Sequence, residues 1–218
     1  FLVTATSEVL KYVDSLRNLK LGEVGHLEYS HVGASDKVLF SKVKEFAPDL
    51  VVYIGQAFGQ IPSITALAAI RNICPSVHLC SDAADAPWWG LLREYHNHGA
   101  FTLQVTIDGA HKWPLASSQM TALTPVDPAF YPATPKPHAE RSIACGYGGN
   151  QGGGNASKRT QILTALLQQR LIDVRIRSAL PFTYEAYADY LGTIRVSLNT
   201  AYTGTEMSMH VKGRVLES

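Results

Sequence analysis

Ala47-Pro-Asp-Leu-Val-Val-Tyr-Ile54 decides the fold class of this chain. Proline and aspartate end a helix here, because proline has no amide hydrogen and pushes the residue before it out of helical backbone. Leu50 to Ile54 then runs apolar and aromatic without alternation. A strand with no polar face is buried on both sides, as in a parallel sheet covered by helices.

The same rhythm extends in both directions. Upstream, Ser35 and Asp36 cap a helix expected to reach about Phe46, with Val38, Leu39, Val43 and Phe46 on one face. Before it, Val24 to Tyr29 reads as a short strand. Glu8 to Leu19 has the apolar spacing of a helix, and Phe1 to Thr4 reads as a strand or the end of one. Downstream, Ile64 to Ile73 is expected to be helical and Val77 to Cys80 a strand. A loop, Asp82-Ala-Ala-Asp-Ala-Pro87, precedes a helix from Trp88 to Tyr95 and a strand from Phe101 to Val105. Strand and helix in alternation predict a doubly wound α/β domain with a parallel sheet, placed at residues 1–123.

Prolines at 125, 128, 132, 135 and 137 predict a stiff linker over 124–140. A second α/β unit, 141–218, starts with a short strand from Ser142 to Cys145. A glycine-rich loop from Gly146 to Gly154 follows it. Next come a helix from Lys158 to Arg170, a strand from Ile172 to Ile176, a helix from Phe182 to Leu191 and a strand from Ile194 to Leu198. Another helix is expected from Val211 onward.

Composition excludes several classes. The 218 residues carry a net charge of +1, which argues against a broad nucleic-acid surface. No apolar run approaches the roughly 20 residues of a membrane-spanning helix, and no secretory leader pattern is present. Three cysteines, Cys74, Cys80 and Cys145, lack tight spacing and read as reduced, buried thiols of a cytoplasmic protein. In that compartment the sequon Asn155-Ala-Ser157 carries no meaning. Phe1 rather than Met opens the sequence, so residues are expected to precede it. His78, His96, His98 and His111 include one tight pair, His96-x-His98. No cysteine or carboxylate completes a zinc set, so no metal is expected.

Candidate site residues fall into two groups. Gly146 to Gly154, between a strand and a helix, suits close backbone approach to a phosphate, with Gly148, Gly149 and Asn150 as contacts. It matches neither a Walker loop nor Gly-x-Gly-x-x-Gly. Its structural alternative is a surface loop. Lys158 and Arg159 open the following helix, facing either a phosphate or solvent. Asn199 and Thr200 end a strand and suit polar donor contacts. Lys212 and Arg214 flank a glycine before a helix-like Val-Leu-Glu, and suit a diphosphate leaving group. In the first unit, Asp82 and Asp85 follow a strand at its C-terminal end, where α/β ligands bind. A carboxylate there can deprotonate an acceptor hydroxyl, or it can cap the next helix. Trp88 and Trp89 are expected in the core rather than on a sugar face.

The order of these phrases resembles the GT-B glycosyltransferases, most closely the spore maturation protein B-like (CgeB-like) branch. The likeness rests on Thr124-Pro-Val-Asp-Pro-Ala-Phe-Tyr-Pro132, Ser197-Leu-Asn199 and Lys212-Gly-Arg-Val-Leu-Glu217. It implies two Rossmann-like domains, the second incomplete and C-terminally truncated. The family phrase runs on to a second glutamate that this sequence does not reach, and Leu216 stands where phenylalanine is common. The implied activity is sugar transfer from a nucleotide diphosphate sugar to a hydroxyl acceptor, with no cofactor beyond that donor. Glu217 would take the ribose hydroxyls. The acceptor would lie against the first domain and the donor against the second. A non-catalytic nucleotide- or sugar-binding module is the alternative. An oxidoreductase is disfavoured by the missing dinucleotide fingerprint. An incomplete second domain leaves a sheet edge that a second copy of the chain is expected to cover.

Overall fold

The computed structural model describes residues 1–4, 10–29, 35–55, 61–80, 83, 88–107, 117–122, 131, 134–149, 157–176 and 184–199. It is an α/β chain with parallel sheets, dividing into two compact units, Phe1–Ala122 and Leu123–Ser218. Residues 124–140 thus fall within the second unit.

The first unit runs β1 (Leu2–Thr4), α1 (Leu10–Asn18), β2 (His26–Glu28), α2 (Asp36–Phe46), β3 (Val51–Ile54), α3 (Ile64–Arg71), β4 (Ser76–Cys80), α4 (Trp88–Asn97), β5 (Leu103–Thr106) and β6 (Gln119–Thr121). Six parallel strands lie in the order β2-β1-β3-β4-β5-β6. The order reverses between β1 and β3, the switch point of a doubly wound sheet. Val13 of α1 packs with Ile54, Val52 and Leu79. Leu39 and Val43 of α2, with Leu67 and Ile70 of α3, share a second core with Val3, Val51 and Tyr53. Strand neighbours 52 and 53 therefore face different cores, so both sheet faces are covered.

Local chemistry sets the helix ends. Ser35 and Ser63 accept the amides of Val38 and Ala66 as N-caps. Lys20 and Ala47 adopt φ of 52° and 48° just past α1 and α2. Asp36 ties three elements together, accepting the Tyr29 hydroxyl at 2.8 Å and the Ser63 amide at 3.0 Å through one oxygen. Burial pushes its acidity down, but these hydrogen bonds hold the Asp36 pKa below the usual carboxylate range.

Differences from the expected elements have simple causes. Helix α4 runs two residues further than expected, to Asn97, and its Tyr95 is buried. Phe101 is a core residue ahead of β5 rather than part of it. Strand β6 has no sequence signal, because Gln-Met-Thr is three residues long with one apolar side chain. Val38 and Leu19 are exposed, since α2 turns Leu39 and Val43 inward and α1 ends at Asn18.

The second unit contains β7 (Ile143–Gly149), α5 (Lys158–Gln168), β8 (Asp173–Ile176), α6 (Tyr184–Thr193) and β9 (Ile194–Ser197), with parallel strands ordered β8-β7-β9. Its first three strands thus repeat the pattern of β2-β1-β3. Leu163 of α5 packs with Tyr147 on one face of β7. Helix α6 joins β8 to β9 and must cross β7, and it does so over Gly146 and Gly148. A Cβ on Gly148 would lie 2.7 Å from the Tyr187 ring, and one on Gly146 2.9 Å from the Tyr190 hydroxyl. That hydroxyl donates to Asp173 Oδ1 at 2.9 Å, and Arg175 lies over the Tyr190 ring. Among the proline-rich residues, a 3-10 turn at His138–Glu140 leads into β7. Arg141 donates to the Ile194 carbonyl, and Arg195 to the Arg141 carbonyl, fastening this entry beside β9.

Candidate functional site

The expected glycine loop, Gly146 to Gly154, is in its first four residues a strand. Gly146, Tyr147, Gly148 and Gly149 complete β7, and Tyr147 is fully buried. Glycines suggested a loop, but here they mark close approach of a helix to a strand, a role that removes the need for side chains.

The carboxyl end of β7 nonetheless gathers several expected residues. Gly146 is in register with Ser197, and the Leu198 amide donates to the Gly146 carbonyl at 2.8 Å. Continuing the register by two residues sets Gly148 level with Asn199, at the β7/β9 switch point. Gly149 has φ of 141°, a backbone conformation open to glycine alone in practice. Asn199 is half-buried. Helix α5 must start at this same edge, because it returns antiparallel to β7. Ser157 caps it by accepting the Thr160 amide at 3.1 Å. Arg159, in its first turn, is 8% exposed, whereas Lys158 beside it faces solvent. A helix N-terminus with a buried arginine in its first turn, following a strand that ends in a glycine of open conformation, is chemistry suited to an anion.

Gly148 lies under α6 as well as at this edge, next to Gly149. Asn150, Thr200, Lys212, Arg214 and Glu217 lie outside the described residues, as do Asp82 and Asp85. Helix α4 does begin at Trp88, directly after the segment holding the two aspartates. Trp89, expected in the core, is 37% exposed, with the Arg93 guanidinium 6.0 Å from its ring centre. It lies in the first turn of α4, at the margin of the face that buries Leu92 and Tyr95. His98 Nδ1 lies 2.9 Å from the Glu94 carbonyl oxygen. Among the described residues no three His, Cys, Asp or Glu side chains converge on one point.

One cluster went unforeseen. Tyr53, His78, Gln104 and Gln119 form a single rung across β3, β4, β5 and β6. All four are buried. Gln119 donates to Gln104 at 3.0 Å, and Gln104 to the Leu92 carbonyl at 3.2 Å. The His78 ring stacks on Tyr53 and Phe101 at 5.4 and 5.0 Å, with Tyr95 edge-on at 5.2 Å. Neither of its nitrogens has a hydrogen-bond partner among the described residues. Burial alone lowers its pKa to about 3. The signal was present in the period-2 positions of two adjacent apolar strands.

No family model, curated protein or solved structure matches this chain.

Proposed function

We propose that the chain is a glycosyltransferase of the GT-B kind that takes a sugar from a nucleotide diphosphate sugar to a hydroxyl acceptor. What supports this reading is the carboxyl end of β7, with Gly149 at the strand end beside β9 and with buried Arg159 in the first turn of α5, the next described helix. A diphosphate fits that chemistry: two or more anionic oxygens, a cation, and backbone amides at a helix start. Lys212 and Arg214 would add charge to the leaving diphosphate, Glu217 would take the ribose hydroxyls, and Asn150, which follows β7 in sequence, would reach the donor. Asp82 or Asp85 would remove the acceptor proton as the sugar carbon is attacked, so the hydroxyl oxygen gains the glycosyl bond and the nucleoside diphosphate leaves. Binding energy of this kind needs no resident cofactor.

A non-catalytic nucleotide- or sugar-binding module is the second reading, favoured by one observation: Gly148 is taken up in helix packing, which narrows the backbone available to a donor. Calorimetric titration with UDP, GDP, ADP, dTDP and NAD, repeated on Arg214→Ala and Asn199→Ala, tests both. One nucleoside diphosphate should bind and be weakened at least tenfold in each variant. Binding of NAD alone would overturn the proposal. Nucleotide binding with no hydrolysis or transfer of a matching nucleotide sugar would favour the module.

A further inference from the structure

We infer that His78 is an acid-sensitive latch in the first unit: uncharged, it is one ring of the stack that holds α4 on the sheet, and charged, it forces α4 away. The geometry carries this. His78 is 1% exposed and is enclosed by one ring from each neighbouring element: Tyr53 from β3, Tyr95 from α4 and Phe101 from the chain entering β5. Ser76 and Cys80 share its face of β4, and Gln104 is its neighbour on β5. None of these groups carries a charge at neutral pH. Glu94 on α4 acts on Tyr95 but is exposed. The Gln104 amide, the nearest polar side chain across the rung, is already committed to Leu92 and Gln119. A proton placed on His78 therefore finds no counter-ion and no acceptor for either ring N–H among the described residues.

The side that can yield is α4. Tyr53 and Phe101 are anchored in or beside the sheet, whereas Tyr95 reaches the stack from a helix. Burial depresses the His78 pKa in the closed form, so the open form binds the proton better. Stability of the closed state is complete above about pH 6.5 and falls as pH drops toward about 3. Each pH unit below 6.5 raises the open population about tenfold. The helix so released begins one residue after the segment that carries Asp82 and Asp85, so acid would loosen that end of the first unit whatever ligand the second unit takes.

Hydrogen exchange at pH 7.5 and 5.5, corrected for intrinsic rates, tests the latch in the full chain and in His78→Phe. In the wild type, peptides covering Trp88–Asn97 should lose about tenfold protection on acidification while those covering Asp36–Phe46 hold theirs. In His78→Phe, α4 should keep its protection at both pH values. Equal loss in the variant, no loss in the wild type, or uniform loss over the whole unit would each overturn the inference. Should His78→Phe fail to fold, His78→Leu serves. The ring nitrogen shifts of wild-type His78 give an independent check: they must stay those of a neutral imidazole in the closed state at pH 5.5.

Discussion

Single residues carry two kinds of strain that can be probed directly. Ala47 closes α2 with φ of 48°, a left-handed conformation that costs an L-residue with a Cβ about 1 kcal/mol. Ala47→Gly should therefore raise stability by about 0.5 kcal/mol after the added freedom of the unfolded glycine is counted, read as a higher urea midpoint at unchanged slope. Gly149 is the reverse case. With φ of 141°, Gly149→Ala should destabilise the second unit by about 1–3 kcal/mol. It should also weaken any nucleotide held at the β7/β9 edge by more than the loss of folded protein accounts for, which calorimetry on the folded fraction would show. At this scale the sequence was an uneven guide. The serine cap at 35 and the two aspartates before Trp88 stand out by residue type. The burial of His78 does not, because a histidine in an apolar strand reads the same whether it is wet or dry. Trp89 misled for a related reason: an aromatic residue signals bulk, and only the rotation of α4 decides which way the bulk points.

Elements explain the glycines. Helix α6 can join β8 to β9 only by crossing the central strand, and the crossing point needs backbone without side chains. Gly148→Ala would drive a Cβ to 2.7 Å from the Tyr187 ring, and should cost about 1–3 kcal/mol. Shortening the ring in Gly148→Ala with Tyr187→Leu should recover part of that loss, and additive losses in a double-mutant cycle would refute the crossing contact. Tyr190 locks the same helix from its other end. Its phenol pKa is raised, by burial first and then by its hydrogen bond to the Asp173 carboxylate. Tyr190→Phe should lower stability by about 1–2 kcal/mol, the worth of a hydrogen bond to a charged acceptor, measured by denaturant titration. Among the described residues, periodicity found the six α-helices and most strands, since their apolar faces repeat plainly. It failed where composition and geometry part company. Glycine in β7 looked like loop, and Gln-Met-Thr in β6 looked like nothing at all.

The two units each hold their own cores: the clusters around Leu39, Ile54 and Cys80 lie within Phe1–Ala122, and those around Leu163 and Tyr190 within Leu123–Ser218. A fragment of residues 1–122 should fold alone, with cooperative thermal unfolding and the acid sensitivity assigned to His78. A fragment lacking a cooperative transition would show that the first unit depends on the second. Topology was the part of the whole most open to sequence reading, because alternation of strand and helix restricts a parallel sheet to few arrangements. Strand order was not, since nothing in β1 itself says that β2 and β3 will flank it. That order has a consequence for how the protein is made. Strand β1 lies between β2 and β3 in its sheet, as β7 lies between β8 and β9, yet each comes before both of its neighbours along the chain. Synthesis delivers β1 before either neighbour, β2 some two dozen residues later and β3 some fifty, as the pairings of Val3 with Leu27 and Tyr53 record. Until β3 arrives, β1 has one edge unpaired on the nascent chain. Slow translation or a delayed β3 should therefore favour chaperone capture and aggregation more than any single loss of stability in the finished fold.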